Sequence, residues 1–370
     1  MGGGALIETT QPVLEHLQEQ VRAARSEHTA LRIVGGGTKD FYGGALLGER
    51  LDVAPLRGIS SYEPSELVVT VRAGTPLEEL ESALAGERQC LAFDPPRFGH
   101  RGTVGGMVAA GLSGPARAAS GAVRDFVLGL TLLNGRGEIL SFGGQVMKNV
   151  AGYDVPRLIA GSLGVLGVIC EVSLKVLPLP PATRTLCFEA DQSQALERLC
   201  TWSRQPLPVN ASAWHEGRIY LRLAGAQAAV RAACDRLGGT ELAAQEAAAW
   251  WDAVRDQRHE FFHPSAGALA AGERLWRLSL PANVPPLAID GSPFLEWAGM
   301  LRWYRSRAED AALRSAAAAV GGHATAFRAA DKSDGAFAPL PPASMRIHRA
   351  LKKAFDPDRI FNPDRLYPGL

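Results

Sequence analysis

The chain has 370 residues, 46% hydrophobic and 21% charged, the balance of a soluble globular protein long enough for two domains. Its 39 basic and 38 acidic side chains leave a formal charge of +1, which removes the electrostatic case for a nucleic-acid partner. Five scattered cysteines (Cys90, Cys170, Cys187, Cys200, Cys234), with no C-x-x-C and no Cys/His pair at ligand spacing, argue against zinc or an iron–sulfur cluster held by this chain. In chain order, Thr10 and Pro12 open an amphipathic stretch to about Ser26 that predicts a first helix. Leu31–Val34 reads as a short buried strand running into Gly35-Gly36-Gly37-Thr38-Lys39-Asp40, and Leu67–Arg72 as a second strand. Thr75-Pro76-Leu77-Glu78 puts Thr at the N-cap, Pro at the first helical position and Glu at the third, a capping box for a helix to about Leu84.

Phe126–Leu133 and Glu138–Phe142 are apolar strands joined by Asn134-Gly135-Arg136-Gly137, a hairpin signal because Asn and Gly accept positive φ. Val168–Val176 is a further strand. The apolar run around it, Val165–Leu177, is broken by Glu171 and Lys175 and falls short of the ~20 residues a membrane helix needs. Pro178-Leu179-Pro180-Pro181 then marks a domain boundary, since proline cannot donate to a sheet and stiffens the chain. Residues 182–340 alternate strand-like runs (Thr185–Glu189, Arg218–Leu223, Leu275–Leu280) with alanine-rich helices (Ala226–Leu237, Glu241–Val254, Asp310–Val320). That alternation predicts an α+β domain, an antiparallel sheet with helices on one face. After the proline-rich loop Phe337–Pro342, residues 341–370 supply a basic helix, Met345–Phe355, and a tail that packs back on the first domain, 1–181.

Three glycine-rich segments carry the candidate chemistry. Gly35–Asp40 follows a strand, and its small residues present backbone N–H groups to an anion without side chains in the way. It is not the G-x-G-x-x-G dinucleotide fingerprint, because Asp40 stands where the last glycine belongs, and no G-x-x-x-x-G-K-[ST] occurs. The second segment, Pro95–Gly114, contains Pro96, Gly99, His100, Gly102, Thr103, Gly105, Gly106, Ala109, Gly111 and Ser113. A helix beginning at Thr103 would aim its first amides at a phosphate. Glycine costs about 1 kcal/mol against alanine within a helix, so Gly105 and Gly106 imply a close approach to the backbone, by a ligand or by a tightly packed neighbour. The third segment spaces Gly161, Gly164 and Gly167 three apart ahead of a strand, which leaves bare backbone for a flat ring or simply stops a helix.

In order and spacing, Gly102-Thr-Val-Gly-Gly106, Gly121-Ala-Val-Arg-Asp-Phe-Val-Leu-Gly129, Lys148-Asn-Val-Ala-Gly-Tyr-Asp154 and Gly161-Ser-Leu-Gly-Val-Leu-Gly-Val-Ile169 resemble the FAD domain of the vanillyl-alcohol-oxidase, or PCMH-type, flavoenzymes over about residues 5–180. Gly35–Gly43 and the tail Phe355–Pro363 resemble, within that family, the flavin subunits of glycolate oxidase complexes. The resemblance implies a PCMH-type two-lobed FAD-binding domain followed by an α+β FAD-oxidase C-terminal domain. It implies non-covalent FAD, because the first loop has neither the His nor the Cys that often tethers the flavin in this family. Gly35, Gly36, Gly37, Thr38, Lys39, Asp40 and the stretch Pro96–Thr103 would hold the pyrophosphate. Ala109–Ser113 and Leu163–Ile169, with Gly164, Val165, Gly167 and Val168, would line the adenosine and isoalloxazine portions.

The same resemblance implies oxidation of a small 2-hydroxy acid, glycolate to glyoxylate. The partners would be a catalytic flavin subunit and an iron–sulfur subunit, with contact to the inner face of the membrane only through them. The odd cysteine count without a secretory signal fits a cytoplasmic, reducing setting. Such an oxidation requires a hydride acceptor, a base and a cation for the carboxylate. His215, His259, His263 and His323 are isolated candidates for the base, and Arg302, beside Trp303 and Tyr304, is either a carboxylate clamp or a packing residue. Lys148, Asn149, Tyr153 and Asp154 read as orienters of the FAD domain. Of the family's histidine-rich metal motif, Gly321–Phe327 retains only His323, so no metal ligand and no catalytic residue is assigned. A free-standing FAD-dependent 2-hydroxy acid dehydrogenase and a non-catalytic flavin-bearing scaffold remain as alternatives.

Overall fold

The first helix, α1 (Gly3–Glu27), buries Leu17, Val21 and Ala24 at helical spacing against β1 (Leu31–Val34) and β2 (Glu49–Asp52), which pair in parallel. The computed structural model describes residues 3–144 and 153–370. Pro12 lies inside α1 rather than near its start, so the helix gives up the one backbone bond that proline cannot donate and extends past the predicted N-terminus.

The chain continues through β3 (Ile59–Glu63), β4 (Val68–Arg72), α2 (Leu77–Gly86), β5 (Gln89–Cys90), α3 (Val104–Ala110), α4 (Arg117–Ser120), β6 (Val127–Leu133), β7 (Ile139–Gly143), α5 (Val155–Ile159), β8 (Val168–Lys175) and β9 (Leu177–Pro178). A five-stranded antiparallel sheet of order β3-β4-β8-β6-β7 results, and the short β5 and β9 pair beside it. Val69 and Val71, Leu130 and Leu132, and Val172 and Leu174 meet Leu77, Leu80 and Leu84 of α2 and Val104, Met107 and Val108 of α3 in one core. The hairpin from β6 to β7 forms as predicted: Asn134 Oδ1 accepts from the amides of Arg136 and Glu138, and Gly137 takes a φ of 76°.

The capping box at the start of α2 does not form. Thr75 Oγ1 instead donates to the Gly58 carbonyl and accepts from the Gly58 amide, while the Leu77 amide is satisfied by the Gly102 carbonyl. A tertiary contact outcompetes the local cap, because the buried turn at Gly58 needs those bonds as much as the helix does.

Beyond Pro181 follow β10 (Ala182–Glu189), α6 (Gln192–Ser203), β11 (Val209–His215), β12 (Arg218–Gly225), α7 (Gln227–Leu237), β13 (Thr240–Glu241), α8 (Ala244–Arg255), α9 (Ala266–Ala270), β14 (Arg274–Ser279), β15 (Phe294–Glu296), β16 (Leu301–Ser306), α10 (Asp310–Ala319), β17 (His323–Arg328) and α11 (Pro342–Phe355). The strands form an eight-stranded sheet of order β13-β10-β12-β11-β15-β16-β14-β17, antiparallel at each pairing. One face packs on α6, α7 and α10 through Leu221, Leu295, Trp276 and Leu278. The other face, with Phe294, Trp303 and Phe327, packs on α8 and on Tyr42, Ala110, Leu112 and Leu163 of the N-terminal half. The helices therefore do not all lie on one face, as the sequence predicts: α8 is interposed where the two sheets meet.

The tail closes the structure. Phe361 bridges in parallel to Leu31, Asn362 Nδ2 donates to the Leu163 carbonyl at 2.7 Å, and Asn362 Oδ1 accepts from the Ile33 amide at 2.8 Å.

Candidate cofactor site

The loop after β1 has the backbone of an anion nest. Among the described residues, the amides of Gly36, Gly37, Thr38 and Lys39 donate to no protein acceptor. Their free orientation has a cause on the opposite side of the loop: the buried Arg365 guanidinium binds the carbonyls of Lys39 at 3.2 Å and Asp40 at 2.9 Å, and also that of Gly44. A Cβ on Gly36 would fall on the Arg101 carbonyl oxygen, and one on Gly35 would come within 2.5 Å of Thr103 Oγ1, so this loop lies too close to the second segment for side chains.

The loop forms one wall of a cleft. Thr103, Gly106 and Ala109 of the α3 segment form a second wall; Leu163, Gly164, Gly167 and Ile169 a third; Asn362 and Arg365 of the tail complete it. Arg32, Lys39 and Arg365 face this space and, among the described residues, Asp40 is the one acidic residue lining it, so the cleft favours an anion. Burial pushes the Lys39 ammonium down to about 8, partly offset by Asp256. A diphosphate is the ligand chemistry that free amides and a desolvated lysine fit together.

The structure changes the reason for several glycines. The first amides of α3 are spent within the protein: Val104 on the Thr75 carbonyl, Gly105 on that of Ala73, and Gly106 on Thr103 Oγ1. They are not available to a phosphate, so the nest at Gly36–Lys39 carries that role in the geometry. Gly105 is required by Ala73, whose Cβ would stand 2.6 Å from an added one. Gly106 is the open position, where an added Cβ would meet only Thr103 Oγ1, at 3.1 Å. At Gly164, φ is 74° and a Cβ would come 2.6 Å from Asn362 Nδ2, so the tail rather than a ring calls for glycine there. Gly111 caps α3 at a φ of 65° against Gly161.

Of the predicted site residues, Gly35, Gly36, Gly37, Thr38, Lys39, Asp40, Thr103, Gly105, Gly106, Ala109, Gly164, Gly167 and Ile169 line the cleft. Pro96 and Ser113 line a smaller cavity between the two sheets. Gly99 and His100 are exposed, with His100 Nδ1 2.8 Å from Glu78. Gly102, Val165 and Val168 are buried in the protein interior. Sequence reasoning missed Arg32, Asn362 and Arg365, for which no local pattern exists.

The candidate substrate residues are not brought to the cleft. Arg302 is wholly buried and donates to the carbonyls of Gly299, Pro285 and Val284, which makes it a packing residue and not a carboxylate clamp. His215 and His259 lie 5.2 Å apart in an aromatic cluster with Phe261 and Phe294, and His263 and His323 are exposed. Asp154 caps α5 by accepting from the Arg157 amide, Tyr153 is exposed, and Lys148 and Asn149 lie outside the described residues. Among the described residues, no three His, Cys, Asp or Glu side chains come together as metal ligands, and no helix is long and apolar enough to cross a membrane.

A nest with free amides in a cationic cleft, walled by the N-terminal half and the chain's tail, defines a protein built to hold a diphosphate-bearing cofactor. A family profile described as an FAD binding domain matches residues 13–143. Over 354 residues the chain is 45% identical to the glycolate oxidase subunit GlcE of Escherichia coli, covering 96% of this chain and 97% of that one. The chain belongs to the GlcE family of FAD-binding glycolate oxidase subunits. It is also 30% identical over 203 residues to a D-2-hydroxyglutarate dehydrogenase of Xanthomonas citri, covering 54% of this chain and 42% of that one. The glycolate oxidase subunit GlcD of Bacillus subtilis is 33% identical over 152 residues, 41% of this chain and 31% of that one. An alkyldihydroxyacetonephosphate synthase shares the fold at a TM-score of 0.65 and 15% identity, covering 94% of this chain and 74% of that one.

Proposed function

We propose that this chain is the FAD-bearing subunit of a glycolate oxidase complex that converts glycolate to glyoxylate. The observation that carries the reading is the 45% identity to GlcE over nearly the whole of both chains. In the proposed division, residues 1–181 bind FAD, residues 182–340 cover it, and residues 341–370 lock the cleft from behind. The amides of Gly36–Lys39 hold the pyrophosphate without a covalent link, Lys39 adds its charge, and Gly106 and Ala109 leave room along the second wall of the cleft. FAD, when bound, supplies the two-electron acceptor for the carbinol hydrogen.

The partners are a catalytic flavin subunit and an iron–sulfur subunit, and the chain works in the cytoplasm, reaching the membrane only through them. The absence of cysteines at cluster spacing supports this division, because electrons then leave through another protein. The test is the absorption spectrum of the purified chain, followed by anaerobic glycolate with and without the partner subunits. Flavin bands that bleach with glycolate in the assembled complex are expected. A chain that cannot be loaded with FAD, or a complex indifferent to glycolate, overturns the proposal.

A further inference from the structure

The sheet face turned toward the N-terminal half carries two charged side chains that apolar packing does not explain. Strand register sets Arg277, Trp303 and Phe294 abreast across β14, β16 and β15, and alternation returns Glu296 to that face two residues beyond Phe294. With Phe98, Ser113 and Gln257, the side chains of Arg277, Glu296 and Trp303 line a small cavity. Arg277 lies over the rings of Trp297 at 5.2 Å and Trp303 at 5.8 Å. Its one hydrogen bond runs from Nη1 to Ser279 Oγ at 3.4 Å, and among the described residues it has no ion pair. Glu296 is 4% exposed; its Oε1 accepts from Trp303 Nε1 at 2.8 Å, and its other oxygen has no protein donor among the described residues. Gln257 Oε1 is buried without a partner. Arginine and glutamate thus line one small cavity without pairing with each other, where an unneutralised guanidinium is costly.

We propose that this cavity binds a small 2-hydroxy monocarboxylate, with the carboxylate on Arg277 and the 2-hydroxyl donating to Glu296. The assignment rests on the reading of the chain as a subunit that handles a 2-hydroxy acid. A guanidinium with unspent donors matches a carboxylate in a forked geometry, and the aromatic walls leave no room for a long substituent. The cavity adjoins the cofactor cleft along one stretch of chain: Ala109 and Ala110 line the cleft, and Leu112, Ser113 and Gly114 line the cavity. Lys39, in the cleft, sits 5.6 Å from the ring of Phe98, in the cavity.

Burial pushes the Glu296 carboxyl up to about 7, with the Trp303 hydrogen bond and Arg277 pulling it down in part and Asp94 raising it further. The other titratable groups acting on the site reach it through Arg277: Tyr42, Arg117 and His323; Arg255 lines the cavity as well. A carboxylate entering beside Glu296 is repelled once Glu296 ionises, so affinity falls as pH rises through about 7.

The experiment is calorimetric titration of the FAD-loaded protein with acetate, which offers the carboxylate without an oxidisable carbinol, about one pH unit below and above that value. Saturable binding that weakens at the higher pH is expected. Arg277→Met should weaken it by about tenfold or more at both pH values, and Glu296→Gln should remove the pH dependence. No saturable binding in the unaltered protein overturns the site, as does an Arg277→Met protein with unchanged melting, flavin content and affinity. Should that variant not fold, Arg277→Lys keeps the charge but loses the fork, and unchanged affinity in it refutes the assignment. A complex that oxidises glycolate while this chain binds no acetate rejects the site alone. Acetate binding in a complex indifferent to glycolate rejects the proposed function and leaves the carboxylate site standing.

Discussion

Replacing Lys352 with Met tests whether the tail is what keeps the cofactor cleft assembled. Lys352 is 2% exposed and its Nζ donates to Asp356 Oδ2 at 2.7 Å, to the Val165 carbonyl at 2.7 Å and to the Phe361 carbonyl at 2.8 Å. Asp356, fully buried, also accepts from the amides of Ile360 and Phe361. Removing one partner of a buried pair typically costs ~3–5 kcal/mol, because the other charge stays behind uncompensated. The two amides still bound to Asp356 place the expected loss near the lower figure, about 3 kcal/mol. Val165 stands beside Gly164 in the cleft wall, and Phe361 precedes Asn362, which also lines it, so the damage should be local before it is global. Denaturant unfolding followed by flavin fluorescence and by far-ultraviolet dichroism should show flavin leaving at lower denaturant than the helices melt. A Lys352→Met protein that loses less than about 1 kcal/mol, or that releases flavin only on global unfolding, refutes the argument.

Lys39, depressed to about 8 by burial, is largely neutral above that pH in the free cleft, and a bound diphosphate restores its charge. FAD binding just above pH 8 should therefore take up a proton, seen as a calorimetric heat that varies with buffer ionisation enthalpy and is abolished in Lys39→Met. For Glu296 the folded value near 7 exceeds the ordinary 4.5, so the native state keeps a proton that the unfolded chain has already released. Stability should fall by roughly 3 kcal/mol between those two values and level off above; a Glu296→Gln protein with the same pH slope in urea unfolding would contradict this. Gly36→Ala puts a methyl group on the Arg101 carbonyl and should impair folding, whereas Gly106→Leu should fold, melt near the unaltered protein and lack flavin. A yellow Gly106→Leu protein with full flavin content would remove α3 from the cofactor wall.

Much of the N-terminal half was legible because its signals are local. A strand running into Gly35–Asp40, the turn at Asn134–Gly137 and the glycine spacing at 161–167 each act over a few residues, and the fold uses each of them. The errors arise where a distant group takes over a local one. Thr75 reads as a helix cap, yet Gly58, 17 residues upstream, claims its hydroxyl. Gly105 and Gly164 leave open whether a ligand or a packed neighbour needs the glycine, and the distant Ala73 and Asn362 supply the neighbour, although both glycines line the cleft. In the second half, β11, β13, β15, β16 and β17 went unpredicted. Residues such as Glu296 and Arg302 interrupt the apolar pattern in β15 and β16, and pattern reading takes charge as exposure. Arg302 was singled out for standing beside aromatics, and its donors prove to be spent on backbone carbonyls. Arg277 differs in that, among the described residues, its guanidinium donates only to Ser279 Oγ and to no backbone carbonyl. Whether an arginine is free to meet a ligand depends on which chain segments surround it, and that is decided by the register of β14 against β16 rather than by any residue near it in sequence. The same holds for Arg365, whose hold on the carbonyls of Lys39 and Asp40 frees the amides of a loop more than 300 residues away. The loop's glycines announce that an anion site is possible, and the arginine at the far end of the chain turns the amides into one.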